Sequence, residues 1–160
     1  MRSLPVALSL ALAALSCCGY STRSLLPPHL GSVAVPPVEN TTTMPGLDDE
    51  FTVKLTEAFR RDRNLRVTTL EDADLVATVS LTAYSRNASS YDGNQEISAY
   101  EVSVSARVEA QDQVRDEMFY AGTVTAHVTY DPAAETEEQA ASRALVELGD
   151  ETVRRIITAW

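Results

Sequence analysis

Between Tyr100 and Glu109 apolar and polar residues alternate without a break: Tyr100, Val102, Val104, Ala106 and Val108 against Glu101, Ser103, Ser105, Arg107 and Glu109. Strand side chains point to opposite faces in turn, so this run predicts a strand with one buried and one wet face. Two neighbouring runs share the period. Over Leu75 to Tyr84 the apolar set is Leu75, Ala77, Val79, Leu81 and Ala83. Over Met118 to Tyr130 it is Met118, Tyr120, Val124, Ala126, Val128 and Tyr130, against Thr123, Thr125, His127 and Thr129. Asp92-Gly93-Asn94 is a turn signal in the longer connection between the first two strands. Gln111-Asp112-Gln113 is a polar run between the last two. Three such strands in succession suit an antiparallel sheet covered on one side.

The period changes to that of a helix in two places. Leu47, Phe51, Leu55, Ala58 and Phe59 share one face, with Asp48, Asp49 and Glu50 at the start and Arg60, Arg61 and Arg63 at the end, a polarity that complements the helix dipole. Near the C-terminus Thr136 and Gln139 form a capping-box signature ahead of an apolar stripe of Ala141, Ala144, Leu145, Leu148, Thr152 and Ile156. Gly149 in this stretch costs about 1 kcal/mol relative to alanine, which marks a bend or a close contact. Ser32 to Val38 predicts a short strand, with Pro36 and Pro37 placed at an edge or strand end because proline cannot donate to a ladder. Glu39 to Gly46 predicts a polar loop, and Leu65 to Thr69 leads into a turn. The element order is β-α-β-β-β-α. Its simplest packing is an α+β domain with two helices on one face of a four-stranded, mainly antiparallel sheet.

The N-terminus reads differently. Arg2 precedes an apolar run from Leu4 to Leu15, followed by Ser16-Cys17-Cys18, the layout of a secretory signal peptide. The run is well short of the ~20 residues that span a bilayer. A disulfide is excluded by arithmetic, since the chain has 2 cysteines and they are adjacent. Leu15, three residues before Cys18, resembles a bacterial lipoprotein signal. The resemblance implies cleavage after Cys17, a lipid thioether on Cys18 and acylation of the new N-terminus, with Cys17 as the alternative lipidated residue. Gly19, where inner-membrane retention uses aspartate, implies sorting to the outer membrane. The chain then divides into a signal peptide at 1–17, a lipid-anchored tether at 18–30 and a single domain at 31–160. From Gly19 to Leu30 the tether reaches at most ~40 Å, so the domain stays close to the bilayer.

The formal net charge of −10 argues against a general nucleic-acid binder, which needs a basic patch. Enzyme chemistry finds little support. The histidines are His29, in the tether, and His127, on a wet strand face, and neither has a neighbour at metal-ligand spacing. No Gly-rich phosphate loop or serine elbow motif occurs. The expectation is a non-enzymatic protein with no cofactor and no metal. Tyr84 and Tyr91 flank the polar segment Ser85 to Ser90 and are candidates for partner contact, since tyrosine offers area with a polar end. Arg86 and Arg107 are candidate phosphate contacts set against ordinary solvated strand-face arginines.

One set of short motifs runs Cys18-Gly19-Tyr20, Val33-Ala34-Val35-Pro36 followed by Val38-Glu39-Asn40, and Pro45-Gly46-Leu47. Ala73-Asp74-Leu75, the tip Tyr91-Asp92-Gly93-Asn94-Gln95 and Tyr100 continue it. In these residues the mature chain resembles the LPS-assembly lipoprotein (LptE) family. The resemblance implies a lipid-anchored domain on the periplasmic face of the outer membrane. It would plug the lumen of the LptD β-barrel, support barrel assembly and contact lipopolysaccharide. Tyr84, Arg86, Tyr91, Asn94 and Tyr100 become the candidate partner-binding set. Asp92 and Glu135 depart from the pattern, because they stand where enteric members carry basic residues. Carboxylates there repel a phosphate-rich glycolipid, so the plug role survives this better than direct lipopolysaccharide binding. The alternative is a periplasmic lipoprotein regulator of a cell-wall synthase, which the short tether disfavours. A lipid-anchored hydrolase is the third.

Overall fold

The structure, a computed structural model, describes residues 26–159. Leu26 and Leu30 are buried ahead of the first strand, β1 (Ser32–Ala34). Pro36 and Pro37 then withhold two donors, and pairing resumes at β2 (Glu39–Asn40). Helix α1 (Leu47–Asp62), β3 (Arg66–Val67) and a 3₁₀ turn (Leu70–Asp72) lead to the long meander of β4 (Leu75–Tyr91), β5 (Ile97–Asp112) and β6 (Glu117–Tyr130). Helix α2 (Glu137–Ile157) closes the domain. No described helix is long and apolar enough to cross a membrane. The expected signal peptide and the lipidation of Cys18 lie outside the described residues.

The fold is α+β with two helices, as the sequence predicts, but the sheet differs. It has six strands in the order β3-β1-β4-β5-β6, with β2 also beside β4. β1 runs parallel to β3 and β4, and β2 parallel to β4, while β4-β5-β6 is antiparallel. The sequence predicts four mainly antiparallel strands. Glu39–Asn40 is a strand where a loop is predicted, and Arg66–Val67 a strand where a turn approach is predicted. Elements of two residues are too short to carry a period, so nothing in the pattern announces these two.

Both helices form as their patterns require. Gly46 caps α1 at φ 81, a left-handed conformation that glycine adopts without penalty, and the buried stripe is Leu47, Phe51, Leu55, Ala58 and Phe59. Thr136 and Gln139 make the reciprocal capping box of α2, whose predicted stripe is buried together with Ala140, Gly149, Val153 and Ile157. The helices lie side by side and run in the same direction. Ser142 Oγ donates to Glu50 Oε1 at 2.5 Å near their starts, and Arg61 pairs with Asp150 at 2.6 Å near their ends. Gly149 sits between these contacts, and a Cβ there would meet Ala58 Cβ, Leu55 Cα and Lys54 O at 3.6 Å, ordinary van der Waals contact. Gly149→Ala is therefore expected to stabilise the domain by about 1 kcal/mol in urea melts, through helix propensity without a clash. Gly149→Leu should separate the helices and reverse the sign.

Two bulges change which residues face the core. Register shifts between Leu81 and Ala83, so Thr82 is the extra residue and Ala83 turns outward to solvent while Tyr84 takes the inward position opposite buried Val104. This corrects the predicted stripe at Ala83. On β6 the shift between Ala110 and Gln111 inserts Phe119, leaving Met118 54% exposed where the alternation predicts burial. A bulge inverts the alternation beyond it, which a period-two reading cannot anticipate.

The strand base is tied to the N-terminal residues by polar contacts. Asp112, in the polar run predicted between the last two strands, is 1% exposed at the end of β5. One carboxylate oxygen meets His29 Nε2 at 2.6 Å. The other accepts from the Val114 and Arg115 backbone N–H groups at 2.9 and 3.0 Å. Burial pushes the Asp112 carboxyl up, but the His29 hydrogen bond and the two N–H donors together hold it below the usual range. Asp74 accepts from Ser32 Oγ at 2.7 Å and from the Gly31 N–H at 3.0 Å.

Candidate functional site

Above the helix-covered base the β4–β5 hairpin continues with both faces wet. Every residue from Ser85 to Ser98 is exposed. The tip is built by Asp92, whose Oδ1 accepts from the Asn94 and Glu96 N–H groups, both at 2.9 Å, while Gln95 takes a φ of 66. Asn94 is exposed in this turn, and Tyr91, opposite Ile97, is 62% exposed. The carboxylate at position 92 is thus turned onto the backbone of its own loop.

Where the hairpin leaves the helix layer, the Thr82 bulge has placed Tyr84 and Arg86 on the side facing α2. Tyr84 Oη donates to Glu137 Oε1 at 2.8 Å, and Arg86 Nη1 lies 3.4 Å from Glu137 Oε2. The Arg86 guanidinium stands over Tyr100, 3.6 Å from the ring centroid, and 5.8 Å from that of Tyr130. The two rings stack at 5.7 Å with an interplanar angle of 26°. A cation held over aromatic faces and pinned by a carboxylate is a rigid, amphipathic contact surface. Burial, reinforced by the Glu137 hydrogen bond, pushes the Tyr84 hydroxyl far above its ordinary range, so it stays a neutral donor.

Of the predicted set, Tyr84, Arg86 and Tyr100 come together, whereas Tyr91 and Asn94 lie apart at the tip. Tyr130 and Glu137 complete the cluster. The sequence marks Tyr130 as inward-facing but not as a partner of Arg86, and it does not single out Glu137. Arg107 points to the opposite, wet face and pairs with Glu109 at 3.0 Å. His127 lies on that face too, 3.6 Å from Glu101. Glu135 is clasped by Arg143 at 2.8 and 2.7 Å, which lowers its carboxyl pKa and neutralises its charge locally. Among the described residues no group of three or more His, Cys, Asp or Glu side chains gathers in a metal-binding arrangement.

The sequence model of the LptE lipopolysaccharide-assembly family matches residues 30–160. The chain belongs to the LptE family. Solved structures share the fold of this LptE-family chain at low identity. A hypothetical protein of Chlamydia trachomatis superposes with a TM-score of 0.61 at 15% identity, covering 79% of this chain and 95% of its own. A dodecameric PelC variant from Paraburkholderia phytofirmans gives 0.56 at 14%, covering 81% and 90%. A protein of Xanthomonas campestris gives 0.55 at 12%, covering 83% and 90%. No curated protein matches the LptE-family chain in sequence.

Proposed function

We propose that this LptE-family chain is an outer-membrane lipoprotein, anchored through Cys18, that occupies the lumen of an LptD-type β-barrel as a plug and assists its assembly. The match to a lipopolysaccharide-assembly family across residues 30–160 carries this reading. The role is one of binding, with no bond made or broken. The projecting hairpin supports it, because barrel lumens are polar and a strand pair wet on both faces suits such surroundings. The Tyr84–Arg86–Tyr100 cluster offers the anchoring side chains, with Tyr91 and Asn94 at the leading tip. Direct contact with lipopolysaccharide is the secondary part of the proposal. Engagement of Asp92 by its own loop and of Glu135 by Arg143 reduces the repulsion that the acidic sequence suggests.

The test is recovery of the tagged full-length protein from outer-membrane extract in mild detergent. A roughly equimolar large β-barrel is the expected companion. Recovery alone, or with cell-wall synthases, would overturn the plug reading.

A further inference from the structure

We propose that the end of the domain where the N-terminal segment joins it is a docking surface for anionic phospholipid headgroups, formed by Arg60, Arg63 and Arg66; the proposal rests on the reading of Cys18 as a lipid anchor. The first observation is how arginines are paired. Every other described arginine, from Arg61 to Arg155, has a carboxylate within ion-pair distance. Among the described residues Arg60, Arg63 and Arg66 have none, in a protein with a net charge of −10. They line one cleft of about 380 Å³ with Gly31, Asn64, Leu65 and Val67, and no carboxylate lines it. The acids close by in sequence are otherwise placed. Asp62 accepts from the Asn64 N–H and Nδ2, and Glu57 borders a separate hollow with Arg60, Arg61 and Arg63.

Arg63 supplies a second observation. It caps α1 at φ 64, a left-handed position where glycine is the usual residue because a Cβ crowds the following carbonyl oxygen. An arginine in this strained conformation points to use of its side chain.

The third observation is location. The Arg66 N–H donates to Gly31 O at 3.0 Å, directly after the buried Leu26 and Leu30. Cys18 lies eight positions before Leu26, so the anchor is at most ~28 Å from the packed domain. A membrane's surface potential decays over a Debye length of ~8 Å, so only charges at the near end experience it. Because the helices run in the same direction, their acidic first turns (Asp48, Asp49, Glu50, Glu137 and Glu138) sit at the far end, away from the bilayer. Of the acids at the near end, Asp74 is taken up by Ser32 Oγ and the Gly31 N–H, and Glu71 and Asp72 stand in the 3₁₀ turn after β3. Guanidinium forks match phosphate geometry, and the cleft presents three with no carboxylate within ion-pair distance among the described residues.

The experiment uses full-length protein purified from membranes, mixed with vesicles of phosphatidylcholine alone or with added phosphatidylglycerol, and reads hydrogen exchange over residues 60–67. Protection that requires phosphatidylglycerol and disappears at high salt is expected. Arg60→Gln and Arg66→Gln should each weaken association about fivefold. Arg63→Gly should do the same while raising the melting temperature, which separates lost binding from lost folding. Equal exchange on both vesicles, or protection retained in the Arg60→Gln/Arg66→Gln variant, would overturn the proposal. Equal protection by inorganic phosphate alone would also overturn it, reassigning the cleft to the free ion. Flotation with neutral vesicles reports the anchor separately: phosphatidylglycerol-dependent protection without such flotation would remove the anchor and leave the arginine surface standing.

Discussion

Asp112→Ala is expected to destabilise the domain by about 3 kcal/mol, the largest effect of any single polar substitution here. The side chain is 1% exposed and does three things at once. It holds His29 at 2.6 Å, and it satisfies the Val114 and Arg115 N–H groups that begin the β5–β6 turn. Alanine would leave those donors without their acceptor and free the segment that brings Leu26 and Leu30 into the core. Urea unfolding at pH 7 measures the loss, and a midpoint indistinguishable from wild type would refute the assignment. The pH dependence follows with a definite sign. Asp112 and Asp74 are both held below the ordinary 3.8 in the folded state, so the unfolded chain binds protons more readily. Their stabilisation is complete above that ordinary value and is lost as pH falls through the lowered folded values. Asp112→Asn keeps an oxygen acceptor for the turn but should flatten this acid limb.

Arg86→Ala is expected to reduce recovery of the proposed barrel partner about tenfold, equivalent to ~1.4 kcal/mol of association free energy. The guanidinium organises two tyrosine rings and Glu137, so its removal loosens a surface and not just one contact. Stability should fall by about 1–2 kcal/mol, because the cation–π contact is partly shielded from water. Arg107→Ala is the matched control. Its exposed pair with Glu109 on the other face should contribute less than ~0.5 kcal/mol, with barrel recovery unchanged. Equal loss of recovery in the two variants would mean that the cluster is not the contact surface.

Long periodic elements were legible from residues alone, and short or non-local ones were not. The stripes of α1 and α2 and the capping box at Thr136 follow from local spacing, so they emerge where the pattern places them. β1 was announced, though over the longer stretch Ser32 to Val38, whereas β2 and β3 owe their existence to a neighbour distant in sequence, and two residues hold no period. The site was legible in part for the same reason. Tyr84 could be singled out as a tyrosine flanking a polar hairpin, Arg86 as a candidate phosphate contact and Tyr100 through the family resemblance, yet their convergence depends on an extra residue at Thr82. A straight strand would have sent Arg86 to the opposite face, away from Tyr130 and Glu137. Asp112 was hidden by its polar neighbours Gln111 and Gln113, which are exposed as their chemistry suggests.

β4 has two different lives along its length. From Leu75 to Leu81 it lies between β5 on one side and β1 or β2 on the other, with its inward side chains buried. From Ser85 to Tyr91 the same strand is bonded to β5 alone, with its side chains in water. Opening free energies in a protein range from near zero to the global value according to such differences. One continuous strand therefore spans most of that scale. Its lower half is released only when the whole domain unfolds, while its upper half can fray, twist or re-pair at little expense to the rest. A partner can reshape the hairpin without disturbing the fold that carries it.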